Sequence, residues 1–287
     1  MKQILLTGGT GRVGRFIADR LKQDGHCLTH LGRTPPADTA MDFAEWDLSS
    51  RVLELPAADA LIHCALNHAP GLYEGGEGDD PHEFIELNVG GTARLFETAK
   101  SAGIRHCVFL SSQAVYSDPE DWAVIRESFE TRPGTLYGQA KLAGEQALEL
   151  LCDQTMVGSA LRVTHVYGCP PGSALHPWSD LFDDFEQGKQ VEPHLGTYVN
   201  GECLAEAVAL ILKQDPSARP NFDAFNISDL LLDTQDLLKS YAVHKGISQS
   251  LPPRKDAALG VLEAGKLKAL GWTPGGKDKL AGFLQSL

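Results

Sequence analysis

An apolar run, Ile4-Leu5-Leu6, leads directly into TGGTGRVG at positions 7–14, and that into a stretch with helical spacing. This order constrains the fold more than the glycines alone. A buried strand, a glycine turn and a helix start together make a site for a phosphate. The glycines permit the tight turn and let backbone amides approach a pyrophosphate. The amides and dipole of the helix N-terminus favour its negative charge. Two patterns fit the stretch, Gly9-x-Gly11-x-x-Gly14 and Gly8-x-x-Gly11-x-x-Gly14. Phe16, Ile17 and Leu21 then fall at helical spacing, and Gly25 supplies a stop. In this context the pattern predicts a dinucleotide loop rather than an ordinary strand-to-helix turn.

The alternation continues. Strands are predicted over 3–7, 27–32, 43–47, 60–64, 107–111 and 159–163, and helices over 12–24, about 81–102 and about 136–152. This predicts an α/β chain with a Rossmann-type, doubly wound parallel sheet, helices on both faces. Ligands on such sheets bind at the carboxyl ends of the strands, where the strand order reverses. After Gly168 the texture changes. Loop residues 169–172 precede helices expected over 176–188, 201–214, 237–244, 264–270 and 280–287, with a short strand at 225–227. The expectation is a dinucleotide-binding domain over 1–168, plus returning segments, and a small substrate-binding cap within about 169–287. Segments 71–80 and 252–254 are expected to be mobile. The first reads as a solvated loop or, more sharply, as a lid at the rim of the site.

Charge and composition narrow the partners. The net charge of −13 on 287 residues argues against nucleic acid and against an anionic membrane surface. The partner expected is a small molecule. No apolar run reaches the roughly 18 residues of a membrane-spanning helix, and the chain enters a core strand at once, leaving no room for a signal peptide. Six scattered cysteines without a Cys-x-x-Cys pair read as reduced thiols of a cytoplasmic protein. His63, Cys64 and His68 fit a strand end beside a cofactor better than a metal site, so no metal is expected.

The chemistry sits further along. Tyr137-Gly-Gln-Ala-Lys141 places a tyrosine and a lysine four apart, on one face of a helix. An unperturbed phenol titrates near pH ~10; a neighbouring ammonium favours the phenolate and suits the pair to general acid–base work. Upstream, Phe109-Leu110-Ser111-Ser112 ends a strand, so a serine hydroxyl reaches the same crevice and can polarise a carbonyl oxygen.

These motifs resemble the short-chain dehydrogenase/reductases, in their extended, epimerase/dehydratase-like branch. The resemblance also rests on Trp46-Asp47-Leu48, His63-Cys64-Ala65, LNVGGT at 87–92, SSQAVY at 111–116, LRVTHVYG at 161–168 and the tail KLKALGW at 266–272 followed by Pro274. It implies that Gly8, Gly11, Arg12, Val13 and Gly14 cradle the pyrophosphate. Asp47 would accept from the adenine amino group, with Leu48 beside it, and Cys64 and Ala65 would line the pyrophosphate and ribose. Asn88 resembles an asparagine near the nicotinamide ribose, and Val166 would lie against the nicotinamide. Ser112, Tyr137 and Lys141 match the catalytic serine, the catalytic tyrosine and the lysine that also grips the ribose. A homodimer through the helices at 81–102 and 136–152 is implied as well.

Cofactor choice is read at the end of the second strand. An NAD site usually carries an acid there for the ribose hydroxyls. Here Gly32 replaces it and Arg33 follows, which leaves room for a 2′-phosphate and supplies a guanidinium to hold it; Arg12 adds a second positive charge. The expectation is NADP(H) over NAD(H). Substrate signals are poorer. Nucleotide-sugar members carry an asparagine and an arginine where this chain has His165 and Gly196; Gln113 and Ala114 replace the acidic pair of dehydratases, and Arg254 resembles a diphosphate arginine in the cap. Gln113, His165 and Arg254 are the candidate substrate contacts. The leading reading is an NADP-dependent oxidoreductase that moves hydride between nicotinamide and a carbonyl or secondary alcohol of a small molecule, sugar-like ones included. One rival is a nucleotide-sugar 4-epimerase that retains NAD. A rival of another class is a non-catalytic dinucleotide-sensing regulator, which the intact tyrosine–lysine pair disfavours.

Overall fold

The computed structural model describes all residues except 39, 52–53, 70–75, 117–123 and 258. Of the lid expected at 71–80, residues 71–75 lie outside the described residues. The strands are β1 (Gln3–Thr7), β2 (Cys27–Gly32), β3 (Asp42–Glu45), β4 (Ala60–His63), β5 (His106–Ser112), β6 (Val124–Ile125), β7 (Val157–Val163), β8 (His165–Tyr167), β9 (Leu195–Asn200), β10 (Phe222–Ile227), β11 (Leu230–Asp233) and β12 (Val261–Leu262). The helices are α1 (Arg12–Gln23), α2 (Pro81–Ile85), α3 (Gly91–Ser101), α4 (Leu136–Leu151), α5 (Ser179–Glu186), α6 (Gly201–Lys213), α7 (Thr234–Lys245), α8 (Gly265–Ala269) and α9 (Gly276–Gln285).

Among the described residues seven parallel strands form one sheet in the order β10-β7-β5-β4-β1-β2-β3. The chain moves outward from β1 to β3 on one side and from β4 to β10 on the other. The reversal lies between β1 and β4, where Thr7 pairs with His63. The crevice at their carboxyl ends is therefore the place to look for a ligand.

Period-2 alternation divides the core between two faces. Ile4 and Leu6 pack with Phe16, Ile17 and Leu21 of α1 and with the apolar face of α6. Leu5 points the other way, toward Leu95 and Phe96 of α3 and Leu148 of α4. The chain returns to the sheet after Gly168. Helix α6 packs on α1, and β10 pairs with β7. What lies over the carboxyl ends is smaller. A three-stranded sheet, β11-β9-β8, is backed by an aromatic core that includes Tyr167, Trp178, Phe182, Tyr241 and Phe283. None of these three strands, nor the small β12-β6 pair, is foreseen from the sequence.

The helix expected over 81–102 is broken. A π-helical turn, Glu86–Gly90, separates α2 from α3. Such turns occur where a side chain must be re-aimed. Here it turns Asn88 inward and lets Gly91 pass against the Leu48 carbonyl, where a Cβ has no room.

Candidate functional site

The floor of the crevice is backbone. Gly8 adopts φ +66° and its carbonyl accepts from Gly11 N at 3.0 Å. A Cβ on Gly14 would fall within 2.8 Å of both the Gly8 carbonyl carbon and Gly9 Cα, so a larger residue would push α1 off the loop. Gly11 caps α1 without a side-chain acceptor, and no acid occupies the first turn. The helix thus presents amides and a positive dipole end, undiluted by a carboxylate.

The wall between β1 and β4 is fixed by a buried relay. Thr7 Oγ1 accepts from Cys64 N and Ala65 N, both at 3.1 Å. Its own hydrogen therefore points to His63 Nδ1, at 2.7 Å. The His63 Nε2–H then donates to Thr92 Oγ1 at 2.9 Å. Burial pushes the His63 pKa down to about 3, so the ring is uncharged. His63 is a strut that sets where Cys64 and Ala65 stand.

A cavity of about 420 Å³ follows this floor along β2. It is lined by Gly8, Gly11, Arg12, Val13, Gly14, Arg33, Asp47, Leu48, Cys64 and Ala65, so the structure brings these expected cofactor residues together. Asp47 Oδ1 takes Ser49 N at 2.7 Å and Ser49 Oγ at 2.6 Å. The Ser49 hydroxyl, against some desolvation, holds the Asp47 pKa below the usual carboxylate range. Glycine cradle, open helix end and flanking acid fit a dinucleotide.

Asn88 stands behind this wall. Its Oδ1 accepts from Asn67 N at 2.7 Å, and its Nδ2 donates to Asn67 O and Phe84 O, both at 2.9 Å. Its amide is engaged in holding the loop after β4. Asn88 thereby positions the loop that lines the cavity, beside the place expected for the ribose.

The second cavity, of about 500 Å³, adjoins the first and shares Arg12, Val13, Cys64 and Leu66 with it. Ser112, Gln113, Tyr137, Lys141, His165 and Val166 all line it. The two serines at the end of β5 are distinguished here. Ser111 Oγ donates to Glu145 at 2.5 Å, and Glu145 is paired with Arg162 at 2.7 Å. Arg162 also donates to the Tyr116 hydroxyl at 2.7 Å, which donates to Asn226 at 2.9 Å. Ser111 thus belongs to a buried structural network. Ser112 Oγ accepts from Ala114 N at 3.1 Å and keeps its hydrogen for the cavity.

Helix α4 brings the other two groups. Thr135 caps it by accepting from Gly138 N. A Cβ on Gly138 would overlap the Ala114 carbonyl oxygen and lie 2.9 Å from Pro133 Cβ; one on Gly144 would lie 2.6 Å from the Phe109 ring. Those two bare positions let α4 approach β5 and the turn after it. Lys141 is 6% exposed; its Nζ donates to Leu110 O at 2.7 Å and lies 5.7 Å from the centre of the Tyr137 ring. Burial pushes its pKa down to about 8. Glu145 is a residue that sequence reasoning misses, although it lies four residues past Lys141 on the same stripe.

Segments that follow β7 supply a further wall, with Val166, Pro177, Trp178 and Tyr198. His165 Nδ1 donates to Thr197 O at 3.2 Å, which fixes the ring with Nε2 as its other polar atom. Gln113 Oε1 accepts from Thr197 Oγ1 at 2.8 Å, tying β9 to the end of β5. Gly196 and Arg254 are the two positions matched to the diphosphate arginines of nucleotide-sugar members. At Gly196 a Cβ would stand 2.8 Å from His194 Nε2 and 3.0 Å from Tyr198 Cε2, so a larger residue there requires those side chains to shift. Arg254 pairs with Asp236 at 2.5 Å on the surface and does not line the cavity. Among the described residues no group of three or more histidines, cysteines or carboxylates is placed to hold a metal, and no helix is long and apolar enough to cross a membrane.

A doubly wound parallel sheet with a glycine cradle at its switch point defines the class of dinucleotide-binding α/β enzymes. Within it, the chain belongs to the NAD dependent epimerase/dehydratase family, whose family profile matches residues 4–227. It is an NAD(P)-dependent enzyme of the short-chain dehydrogenase/reductase type. A UDP-glucose 4-epimerase of Streptomyces lividans is 32% identical over 313 aligned positions, covering 96% of this chain and 92% of that protein. A UDP-glucose 4-epimerase of Lacticaseibacillus casei is 26% identical with the same coverage, 96% and 92%. Among solved structures, a UDP-glucose 4-epimerase from Stenotrophomonas maltophila with bound NAD and formylated UDP-arabinopyranose superposes with a TM-score of 0.82. It is 21% identical, with 100% of this chain and 97% of that one covered. The UDP-glucose 4-epimerase of Thermotoga maritima gives 0.80 at 22% identity, covering 99% of this chain and 96% of that one.

Proposed function

We propose that this protein is an NADP-dependent oxidoreductase acting on a carbonyl or secondary alcohol of a small, uncharged, sugar-like molecule. When bound, the nicotinamide gives or accepts hydride. Tyr137 moves the proton to or from the substrate oxygen, Ser112 donates a hydrogen bond to that oxygen, and Lys141 favours the tyrosinate and orients the ribose. The cap wall closes the cavity from the side opposite the sheet.

One observation carries the substrate reading. The cations lining the larger cavity, Arg12 and Lys141, both come from the dinucleotide domain, and among the described residues the cap adds none. A nucleotide diphosphate calls for guanidinium or ammonium groups. Here Arg254 is neutralised by Asp236 outside the cavity, and position 196 carries a glycine and no charge. The apolar and aromatic cap, with His165 Nε2 and Gln113 as polar groups beside it, suits a neutral polyol or ketone.

The cofactor reading rests on Gly32 and Arg33 beside Arg12 at one end of the smaller cavity. Arg33→Ala is expected to weaken NADP(H) about tenfold, within the energy of a charge-assisted pair, and to leave NAD(H) nearly unchanged. Equal loss for both, or a parent that prefers NAD(H), overturns the preference. The second reading is a nucleotide-sugar 4-epimerase with retained NAD, favoured by the 32% identity to the Streptomyces lividans enzyme across nearly the whole chain. Purified protein that carries NAD and interconverts UDP-sugars without net cofactor turnover would establish it.

A further inference from the structure

The end of β2 is built around a histidine. His30 and Gly32 are two residues apart on one strand and so face the same side of the sheet. That side looks up at the glycine loop. The imidazole is 2% exposed and lines the smaller cavity together with Gly11, Arg12 and Arg33. A Cβ on Gly9, above the ring, would stand 3.0 Å from His30 Nδ1. A Cβ on Gly32 would overlap Nε2 and lie 2.8 Å from Cε1. The Phe43 ring closes the outer side, 6.2 Å away between centres. The ring lies between Gly9 and Gly32 with Phe43 beside it, and it occupies the space into which a side chain at position 32 would grow. Nδ1 makes no hydrogen bond among the described residues.

We propose that His30 and Gly32 act as one coupled unit that walls the 2′ position of the adenosine ribose and keeps a carboxylate out of it, the imidazole standing where a ribose-binding carboxylate at position 32 would have to be. The glycine is then not a mere absence of charge. Any larger residue there requires the imidazole to move, and His30 gives the wall a polar edge with no negative charge. Burial lowers the imidazole's pKa, outweighing the opposing influence of the Leu6 backbone, and keeps it uncharged at neutral pH. Such a wall accepts a hydroxyl or a phosphate without repulsion and leaves the choice to Arg33. The inference rests on the cofactor reading above for the location of the ribose, but not on which dinucleotide the parent prefers.

The test is a double-mutant cycle read as the Kd of NADP+ and of NAD+ by titration calorimetry, for the parent, Gly32→Asp, His30→Ala and the double variant. Gly32→Asp alone is expected to weaken both dinucleotides, because its carboxylate cannot seat. The double variant is expected to bind NAD+ about tenfold more tightly than Gly32→Asp, a coupling typical of residues in contact, while NADP+ stays weak. A gain in NAD+ affinity from Gly32→Asp alone, or an equal effect of that substitution with and without the imidazole, overturns the proposal. Unfolding midpoints are measured for all four proteins. If Gly32→Asp alone does not fold, the comparison is His30→Ala against the double variant: tighter NAD+ in the double variant supports the coupling, and no gain overturns it. A parent that prefers NAD+ contradicts the NADP reading and leaves the cycle intact.

Discussion

Lys141 is a buried ammonium held by one carbonyl, Leu110 O, and this sets two expectations at the scale of the residue. Burial lowers its pKa from 10.5 to about 8, against the opposing influence of Cys64 and Glu145. The folded-state value lies below the unfolded one, so the unfolded chain holds more protons between about pH 8 and 10.5. Stability attributable to this group therefore rises with pH across that window, and below it the full burial penalty remains. Lys141→Met is expected to raise the thermal midpoint at pH 7, with the gap to the parent closing as pH rises through the window. A gap independent of pH would count against a charged Lys141. For its neighbour, Tyr137→Phe is expected to leave the Kd of the cofactor nearly unchanged and to lower turnover about 10²- to 10⁴-fold. Full activity in that variant removes Tyr137 from the reaction. Residues of this kind are legible in the sequence because their chemistry depends on spacing along one helix. Asn88 and Arg254 are less so. Both are polar groups whose role depends on partners distant in sequence: Asn67 for one, Asp236 for the other.

At the scale of elements, the position of α4 decides whether Ser112, Tyr137 and Lys141 share a cavity. Gly138 and Gly144 permit its approach, and Gly138 is the tighter of the two. Gly138→Ala sets a methyl against the Ala114 carbonyl and should cost about 1–3 kcal/mol of stability, as overpacking does. It should also lower kcat more than it weakens cofactor binding. An unchanged thermal midpoint with unchanged kcat would show that α4 is not held this closely. The strands of the main sheet are legible as short apolar runs between turn residues. β1 and β2 run where the sequence places them, and β5 and β7 extend one or two residues beyond. The β11-β9-β8 sheet is not legible. His165–Tyr167 is three residues long, and LGTYVN of β9 offers little apolar alternation: Tyr198 both lines the cavity and packs on the aromatic core, while Val199 joins the core beneath α1 and α6. The break at Glu86–Gly90 is hidden for a different reason: a π turn keeps the apolar texture of a helix while shifting its register.

At the scale of the molecule, the sheet reversal between β1 and β4 joins two cavities into one crevice, with phosphate-binding backbone at one end and Tyr137 at the other. The net charge of −13 makes the placement of the few cations informative. Arg12, Arg33 and Lys141 lie along the dinucleotide side, and the cap wall is aromatic and neutral. That asymmetry is the ground for preferring an uncharged substrate to a nucleotide sugar. The most direct test is to supply NADPH, follow its absorbance with a panel of uncharged ketones, aldoses and lactones, and assay UDP-glucose in parallel by product analysis. The expected result is stoichiometric loss of reduced cofactor with an uncharged carbonyl compound and no conversion of UDP-glucose. Interconversion of UDP-glucose and UDP-galactose with no net change in cofactor would contradict it.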